Sequence, residues 1–149
     1  MAIDSSTLIP TIDLHRSFDV PVSKVYEAWA SSDAIKNWFG PVGCTVISAE
    51  WEPATGQPFR IAVNSDEMGE MAAVGTFLEV DPDKKMVLSW NWEGDPAENE
   101  SRLTLIFSQS GEKSVLRLVH DGFIQKDSRD HHEIGWNGTL DKFAALLEN

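Results

Sequence analysis

Residues 127–149 read DSRDHHEIGWNGTLDKFAALLEN, and this stretch decides how the rest of the chain is organised. Four large apolar side chains in it recur at the spacing of one α-helical face: Trp136, Leu140, Phe143 and Leu147. The pattern predicts one long amphipathic helix, with Asp127 or Ser128 as its N-cap and Asp130 in its first turn.

Two glycines, Gly135 and Gly138, interrupt this helical pattern. A glycine inside an exposed helix costs about 1 kcal/mol relative to alanine. We expect a local feature to offset that cost, either close packing against a strand or space left beside the helix for another molecule.

The chain before this helix is dominated by strand patterns. Alternating apolar residues predict a first strand at 11–19, and helix signals then predict two short helices, one capped by Ser23 and one at 34–39. Six further strands are predicted near 45–51, 59–63, 70–80, 86–92, 103–107 and 116–120. Their hairpin-length connections indicate antiparallel pairing. The order β-α-α-β-β-β-β-β-β-α predicts an α+β fold in a single domain, residues 1–149 with a core at about 12–147, whose seven-stranded curved antiparallel sheet covers the long helix.

Composition and charge exclude several classes of function. The 149 residues include 12 Lys and Arg against 24 Asp and Glu, a formal net charge of −12. Binding to nucleic acid or to an anionic membrane needs clustered basic side chains, so neither is expected. No apolar run approaches the ~20 residues of a membrane-spanning helix, and residues 1–6 lack signal-peptide features, so we expect a cytoplasmic protein. Cys44 is the single cysteine, which excludes an internal disulfide and indicates a small buried side chain.

The common catalytic motifs are absent from the sequence. It contains no Gly-rich phosphate loop and no Gly-x-Ser-x-Gly nucleophile elbow. His131, His132 and Glu133 are consecutive, so on a helix they point in different directions and do not chelate one ion together. We expect no metal site and no cofactor, and binding is expected more than catalysis.

Two polar residues share strand faces with apolar ones. His120 follows Leu116 and Leu118 on the inward face of the last strand, as a core histidine with a satisfied ring or as a group that orients a ligand or moves a proton. Arg16 is in register with the apolar residues of the first strand, as half of a structural ion pair or as the partner of a ligand anion. Its candidate carboxylates are Glu50, Glu70 and Glu79.

Large aromatic side chains are concentrated on the faces assigned inward. They form either a filled core or the wall of a cavity, and we predict a cavity between the sheet and the long helix, since one sheet and one helix do not easily fill such a space with flat rings. The predicted ligand-binding residues are Arg16, Phe59, Ile61, Phe77, Leu88, Trp90, Trp92, Leu103, Leu105, Phe107, Leu116, Leu118, His120, Phe123, Trp136, Leu140 and Phe143.

Several stretches resemble the AHSA-type members of the START-like (Bet v 1-like, SRPBCC) superfamily, which are similar to the C-terminal domain of the activator of the heat-shock protein 90 ATPase. The stretches are Phe18-Asp19-Val20-Pro21, Val25–Trp29, Trp38-Phe39-Gly40-Pro41, Gly75–Pro82, Leu88-Ser89-Trp90, His120–Phe123 and Gly135-Trp136 followed by Leu140. The resemblance covers about residues 12–147. One departure is Gly56-Gln57, where many relatives have a Gly-Gly pair.

The resemblance implies a helix-grip fold, with two short helices closing one end of the sheet and an apolar cavity between sheet and helix. Its leading functional implication is a soluble binding protein for a small hydrophobic or amphipathic molecule. A cyclase or hydrolase that uses the same cavity is the first alternative. A chaperone partner is the second, and it is less expected because the chain starts close to the domain, without room for the extra N-terminal domain of the eukaryotic activators. Monomer and dimer both stay open.

Overall fold

The computed structural model describes residues 9–147. Seven strands form one antiparallel sheet in the order β1-β7-β6-β5-β4-β3-β2. The strands are β1 (Ile12–Phe18), β2 (Cys44–Glu50), β3 (Pro58–Ser65), β4 (Gly69–Asp81), β5 (Lys85–Trp92), β6 (Ser101–Ser110) and β7 (Lys113–Asp121). The helices are α1 (Val22–Ala28), α2 (Ser32–Ile35) and α3 (Lys126–Leu147), and a 3₁₀ turn covers Ala97–Asn99. This architecture confirms the α+β class, the element order and the helix-grip fold.

The sheet curls round one side of α3. Strands β2 to β7 follow one another through hairpins, and β1 pairs with β7, so β1 and β2 are the two edges. Register shifts interrupt the ladder in β2 between Val46 and Ser48 and in β4 between Phe77 and Glu79, and such bulges bend a strand. Beside the second bulge, a Cβ at Gly75 would lie 1.9 Å from the Ser89 carbonyl oxygen, so only glycine allows β4 and β5 to approach this closely.

The inward faces of the strands are the ones that the alternation predicted. The buried side chains on them include Phe59, Ile61, Phe77, Leu88, Trp90, Leu103, Leu105, Phe107, Leu116, Leu118 and His120, and α3 adds Trp136, Leu140 and Phe143. The apolar members of this set belong to one continuous core cluster.

Three indoles that the sequence pattern did not place in the core close one end of the sheet. Trp29 and Trp38 come from the α1–α2 region, and the Trp38 ring lies 4.5 Å from both Trp29 and Phe143 of α3. Trp51, which follows β2, donates its indole N–H to the Trp29 carbonyl oxygen at 2.6 Å. We call Trp29, Trp38 and Trp51 the indole plug; all three are essentially inaccessible to solvent.

Three predictions at the helix starts were wrong. Helix α3 begins at Lys126, because Arg129 N–H already donates to the Gln125 carbonyl at 3.2 Å, so Asp127 and Ser128 lie inside the first turn and do not cap it. Helix α1 starts after Pro21 without a side-chain cap, so Ser23 is not its N-cap. Helix α2 covers residues 32–35 rather than 34–39, since the Ser31 hydroxyl caps it by accepting from Ala34 N–H.

None of the helices within the described residues is long and apolar enough to cross a membrane.

Candidate functional site

An open cleft of about 820 Å³ lies beside the first half of α3. Its floor is the inner face of β3, β4 and β5, one side is α3, and its rim is formed by the β3–β4 hairpin and the loops before β2 and before α3. The apolar lining consists of Phe39, Pro41, Cys44, Val63, Met68, Met71, Trp90, Trp92, Phe123, Ile124, Ile134 and Trp136. The cleft therefore occupies only the end of the sheet opposite the indole plug.

Four of the residues predicted to line a cavity do line this cleft: Trp90, Trp92, Phe123 and Trp136. Most of the others are packed behind it in the solid part of the core. These are Phe59, Ile61, Phe77, Leu88, Leu103, Leu105, Phe107, Leu116, Leu118, Leu140 and Phe143. The indole plug and Phe143 fill the volume that these side chains were expected to leave open, since the Trp29 ring is also within 5.9 Å of Phe143.

Arg16 lies away from the cleft and holds α3 against the edge strand β1. Its guanidinium donates to Asn137 Oδ1 at 2.8 Å and is 3.5 Å from Asp141 Oδ1. The expectation that Glu50, Glu70 or Glu79 is its partner was wrong. The helix passes directly over β1 and brings Asp141 to Arg16, which strand spacing alone did not reveal.

His120 has both ring nitrogens satisfied in the core behind the cleft. The Trp136 indole N–H lies 3.0 Å from His120 Nδ1, and the indole nitrogen can only donate, so Nδ1 accepts and is unprotonated. The neutral ring therefore carries its proton on Nε2 and donates it to Ser101 Oγ at 2.7 Å. The Ser101 hydroxyl in turn donates to the Trp90 carbonyl oxygen at 3.1 Å.

The direction of these bonds decides what the Ser101–His120 pair can do. Activation of a serine requires a histidine nitrogen that accepts the hydroxyl proton, whereas here Nε2 donates and the hydroxyl proton lies on a carbonyl. Burial, with a smaller contribution from His132, holds the pKa of His120 well below its usual range, so the ring stays neutral. His120 is thus a satisfied core histidine, the first of the two interpretations.

A second indole–imidazole pair forms part of the cleft wall. Trp92 donates its indole N–H to His132 Nε2 at 3.0 Å, which leaves the proton on Nδ1, 2.7 Å from the Ser128 carbonyl oxygen. Burial lowers the pKa of His132, partly opposed by the hydrogen bond to Ser128. From the sequence, His132 was assessed only as a possible metal ligand. Its position four residues before Trp136 on one helical face is the signal that could have placed it in the cleft.

The two glycines of α3 have different surroundings, and these explain their presence in different ways. A Cβ at Gly138 would lie 2.8 Å from Pro41 Cβ, so this glycine allows the helix to pack against the loop after α2. A Cβ at Gly135 would meet nothing within 4 Å, and Gly135 lines the cleft. Of the two expected explanations, Gly138 shows close packing, though against a loop, and Gly135 shows open space.

Carboxylates dominate the charge of the cleft lining. Among residues 9–147, four of them lie on it, Glu67, Glu93, Asp95 and Asp127, together with His131 and His132, and no Lys or Arg does. Arg60 forms a two-pronged ion pair with Glu93, at 2.8 and 2.9 Å, and lowers the pKa of that carboxyl. Within residues 9–147, Glu67, Asp95 and Asp127 have no basic side chain within 4.0 Å.

Two further features complete the site. Cys44 is half-buried on the lining rather than fully buried as expected. The Trp90 side chain is 2% exposed, and its indole N–H has no acceptor among the residues that the structure describes. In the same part of the chain, no group of three or more His, Cys, Asp or Glu is arranged to hold a metal ion.

A seven-stranded sheet that grips a long helix, with an aromatic cleft at one end, defines a START-like (Bet v 1-like) domain, a superfamily of ligand-binding domains. Residues 19–148 match the family described as Activator of Hsp90 ATPase homolog 1-like protein, and the chain belongs to this family. A search of curated proteins gives no match.

Solved structures share the whole fold. CV1439 from Chromobacterium violaceum is 24% identical, with a TM-score of 0.81 over 93% of this chain and 97% of the other. The AHSA1 protein SPO3351 from Silicibacter pomeroyi is 23% identical, with a TM-score of 0.83 over 93% and 97% of the two chains. CalU16 from Micromonospora echinospora is 23% identical, with a TM-score of 0.69 over 92% and 75%. At these identities the likeness shows the fold alone.

Proposed function

We propose that this protein binds a small amphipathic molecule in the cleft beside α3. The observation that carries the proposal is the open volume of about 820 Å³ between the aromatic walls Trp90, Trp92, Phe123 and Trp136. Sites for drug-sized ligands are concave, mostly apolar and about 300–1,000 Å³ in volume, and the cleft has this size and character.

The walls are rigid and offer flat contact surfaces. The Trp90 ring packs 5.3 Å from Trp136 and 5.9 Å from Trp92, and the hydrogen bonds of Trp92 and Trp136 to His132 and His120 fix both indoles. A ligand therefore meets surfaces that are already arranged, which lowers the entropy cost of binding. A fused ring or an alkyl chain fits such walls best.

The polar groups on the lining support a ligand that also carries a polar atom. Glu67, Asp95 and Asp127 lie on the cleft without a basic side chain within 4.0 Å among residues 9–147. The indole N–H of Trp90 does not contribute, because its nitrogen is shielded from solvent, as is the indole nitrogen of Trp29 in the indole plug. A molecule with an apolar body and one polar group matches this lining, so we expect the ligand to be amphipathic rather than a pure hydrocarbon.

Binding is favoured over a reaction that uses His120. This histidine was the main candidate for proton transfer, yet both of its nitrogens are engaged and it lies behind the cleft wall. A cyclase or hydrolase would need another proton-transfer group within hydrogen-bond reach of the substrate.

Titration with N-phenyl-1-naphthylamine, a neutral probe that fluoresces in apolar surroundings, tests the proposal. We expect saturable binding by the wild-type protein. Gly135→Leu fills the cleft from a helical position with open space and should weaken binding by about tenfold or more, since it removes the volume that the probe occupies. Ala145→Leu, at an exposed position of α3 outside the cleft, is the matched control and should bind like the wild type. Absence of saturable binding, or equal binding by Gly135→Leu, would contradict the proposal.

A further inference from the structure

We infer that the cleft selects a cationic ligand, an amine or quaternary ammonium with an aromatic or alkyl body, over an anionic one such as a fatty acid. This inference rests on the proposed function, because it concerns the ligand of the same cleft. It depends on three features of the site: the sign of its charges, the faces of its aromatic rings and the protonation of its histidines.

The charges of the lining have one sign. Glu67, Asp95 and Asp127 lie on the cleft without a basic partner within 4.0 Å among residues 9–147, and the lining includes no Lys or Arg. An anionic ligand would approach these carboxylates with no counter-charge, whereas a cation would neutralise them. The formal net charge of −12 acts in the same direction from further away.

The helix N-terminus beside the cleft opposes this preference, but weakly. Gln125, Asp127 and Ser128 line the cleft at the start of α3, where the helix dipole places roughly half a positive charge. Asp127 lies in this first turn and offsets that partial charge with a full negative one. Two further carboxylates, Glu67 and Asp95, then determine the sign of the field in the cleft.

The walls themselves favour a cation. The faces of indole and phenyl rings carry negative electrostatic potential and attract an ammonium group within about 6 Å. Of the five aromatic rings on the lining, Trp92 and Phe123 are half-buried and offer ring surface to an ammonium group, whereas Phe39, Trp90 and Trp136 are at most 6% exposed.

His132 and His120 do not restore a positive charge at neutral pH. His132 lines the cleft, and its Nε2 already accepts from the Trp92 indole. The groups that act on its protonation are the Ser128 carbonyl, Asp95 and His131, and burial dominates in lowering its pKa. His120 behind the wall is held neutral in the same way. Neither of these two imidazoles therefore offers a positive partner to a ligand carboxylate. His131, which also lines the cleft, is exposed to solvent, where charge interactions are screened by salt.

Competition within a matched ligand series tests the inference. The three competitors share one ring system and differ in charge: the cation 1-naphthylmethylammonium, the neutral 1-naphthylmethanol and the anion 1-naphthaleneacetate. Each is titrated against bound N-phenyl-1-naphthylamine at pH 7.5 in low salt. We expect the cation to bind about tenfold tighter than the anion, with the neutral alcohol between them, and the preference to shrink as salt is added.

The variant Glu67→Gln/Asp95→Asn/Asp127→Asn should reduce the preference to about threefold or less while it still binds the neutral probe. The control Glu27→Gln/Asp83→Asn/Glu112→Gln removes the same charge outside the cleft and should keep the wild-type preference. Equal binding of cation and anion by the wild type, or equal loss of preference in both triple variants, would overturn the inference while probe binding still supports the proposed function. Failure of the neutral probe to bind would remove the proposed function and this inference together.

Discussion

Hydrogen-bond direction at individual residues separates a structural histidine from a catalytic one. The single proton of the His120 ring is directed by the Trp136 indole, and the ring links Trp136 through Ser101 to the Trp90 carbonyl. Two residues that line the cleft, Trp90 and Trp136, are thus connected by one buried hydrogen-bond network. His120 acts on the cleft as a support for its walls.

Replacement of His120 by leucine should therefore destabilise the protein. The change leaves the Trp136 N–H buried without an acceptor, and we expect a loss of about 1–3 kcal/mol in the free energy of unfolding at pH 7.5, measured with urea. His15→Leu, on the outward face of β1 where the side chain is exposed, should change stability by less than about 0.5 kcal/mol.

His120→Leu should also change the pH dependence of the free energy of unfolding. The folded state holds the pKa of His120 and of His132 below the value of about 6.5 that an unfolded chain has. Between the folded and unfolded pKa values the unfolded chain binds more protons, so wild-type stability is full above about pH 6.5 and declines as the pH falls through the folded values. His120→Leu should show a shallower decline, because only the His132 contribution is left. An unchanged pH profile, together with an unchanged unfolding free energy, would show that the network contributes nothing.

Residue pairing was the part of the site that sequence reasoning predicted least well. Alternation placed Arg16 and His120 on inward faces, because the period of two along a strand is a local property. Ser101, a partner of His120, lies on the neighbouring strand β6, but Trp136, the other partner of His120, and Asp141 and Asn137, the partners of Arg16, all lie on α3. The contacts with α3 depend on how this helix crosses the sheet, and no spacing within one element encodes that crossing.

Helix α3 is the element where fold and site are joined. Its apolar face was predicted from spacing, and Trp136, Leu140 and Phe143 are indeed buried. Its two glycines indicated that a local feature offsets their cost in helix stability. In the structure, Gly138 packs closely against Pro41, whereas Gly135 faces open space. What the spacing could not show is that the indole plug, from the segments that follow α1, α2 and β2, fills the other end of the sheet. The open volume is therefore confined to one end of the helix.

Paired alanine substitutions test this division of α3. Gly135→Ala removes a helix-destabilising glycine at a position with open space and should raise the free energy of unfolding by up to about 1 kcal/mol. Gly138→Ala gains the same helix propensity, but its Cβ would lie 2.8 Å from Pro41 Cβ, so the net change should be a loss of stability. Urea unfolding of the two variants measures both. Stabilisation by Gly138→Ala comparable to that by Gly135→Ala would show that the helix does not need this close approach.

The whole molecule divides its tryptophans between a closed end and an open end. The indole plug, Trp29, Trp38 and Trp51, lies in the solid core, and Trp90, Trp92 and Trp136 line the cleft. The six indole N–H groups are therefore built-in reporters, three for each end. The fold was predictable from sequence because a sheet and a helix with one apolar face each have few ways to cover one another. The extent of the cleft was not predictable from sequence, because it depends on how far the aromatic side chains of the indole plug fill the space between the sheet and α3.

The most direct test of the proposed site is an NMR titration of the six indole N–H signals with N-phenyl-1-naphthylamine. We expect saturable shifts for the signals of Trp90, Trp92 and Trp136, with little change for those of Trp29, Trp38 and Trp51. Gly135→Leu should suppress the shifts at the same probe concentration. Saturable shifts confined to the indole plug, or the absence of shifts at the three cleft tryptophans, would contradict the claim that this cleft binds the ligand.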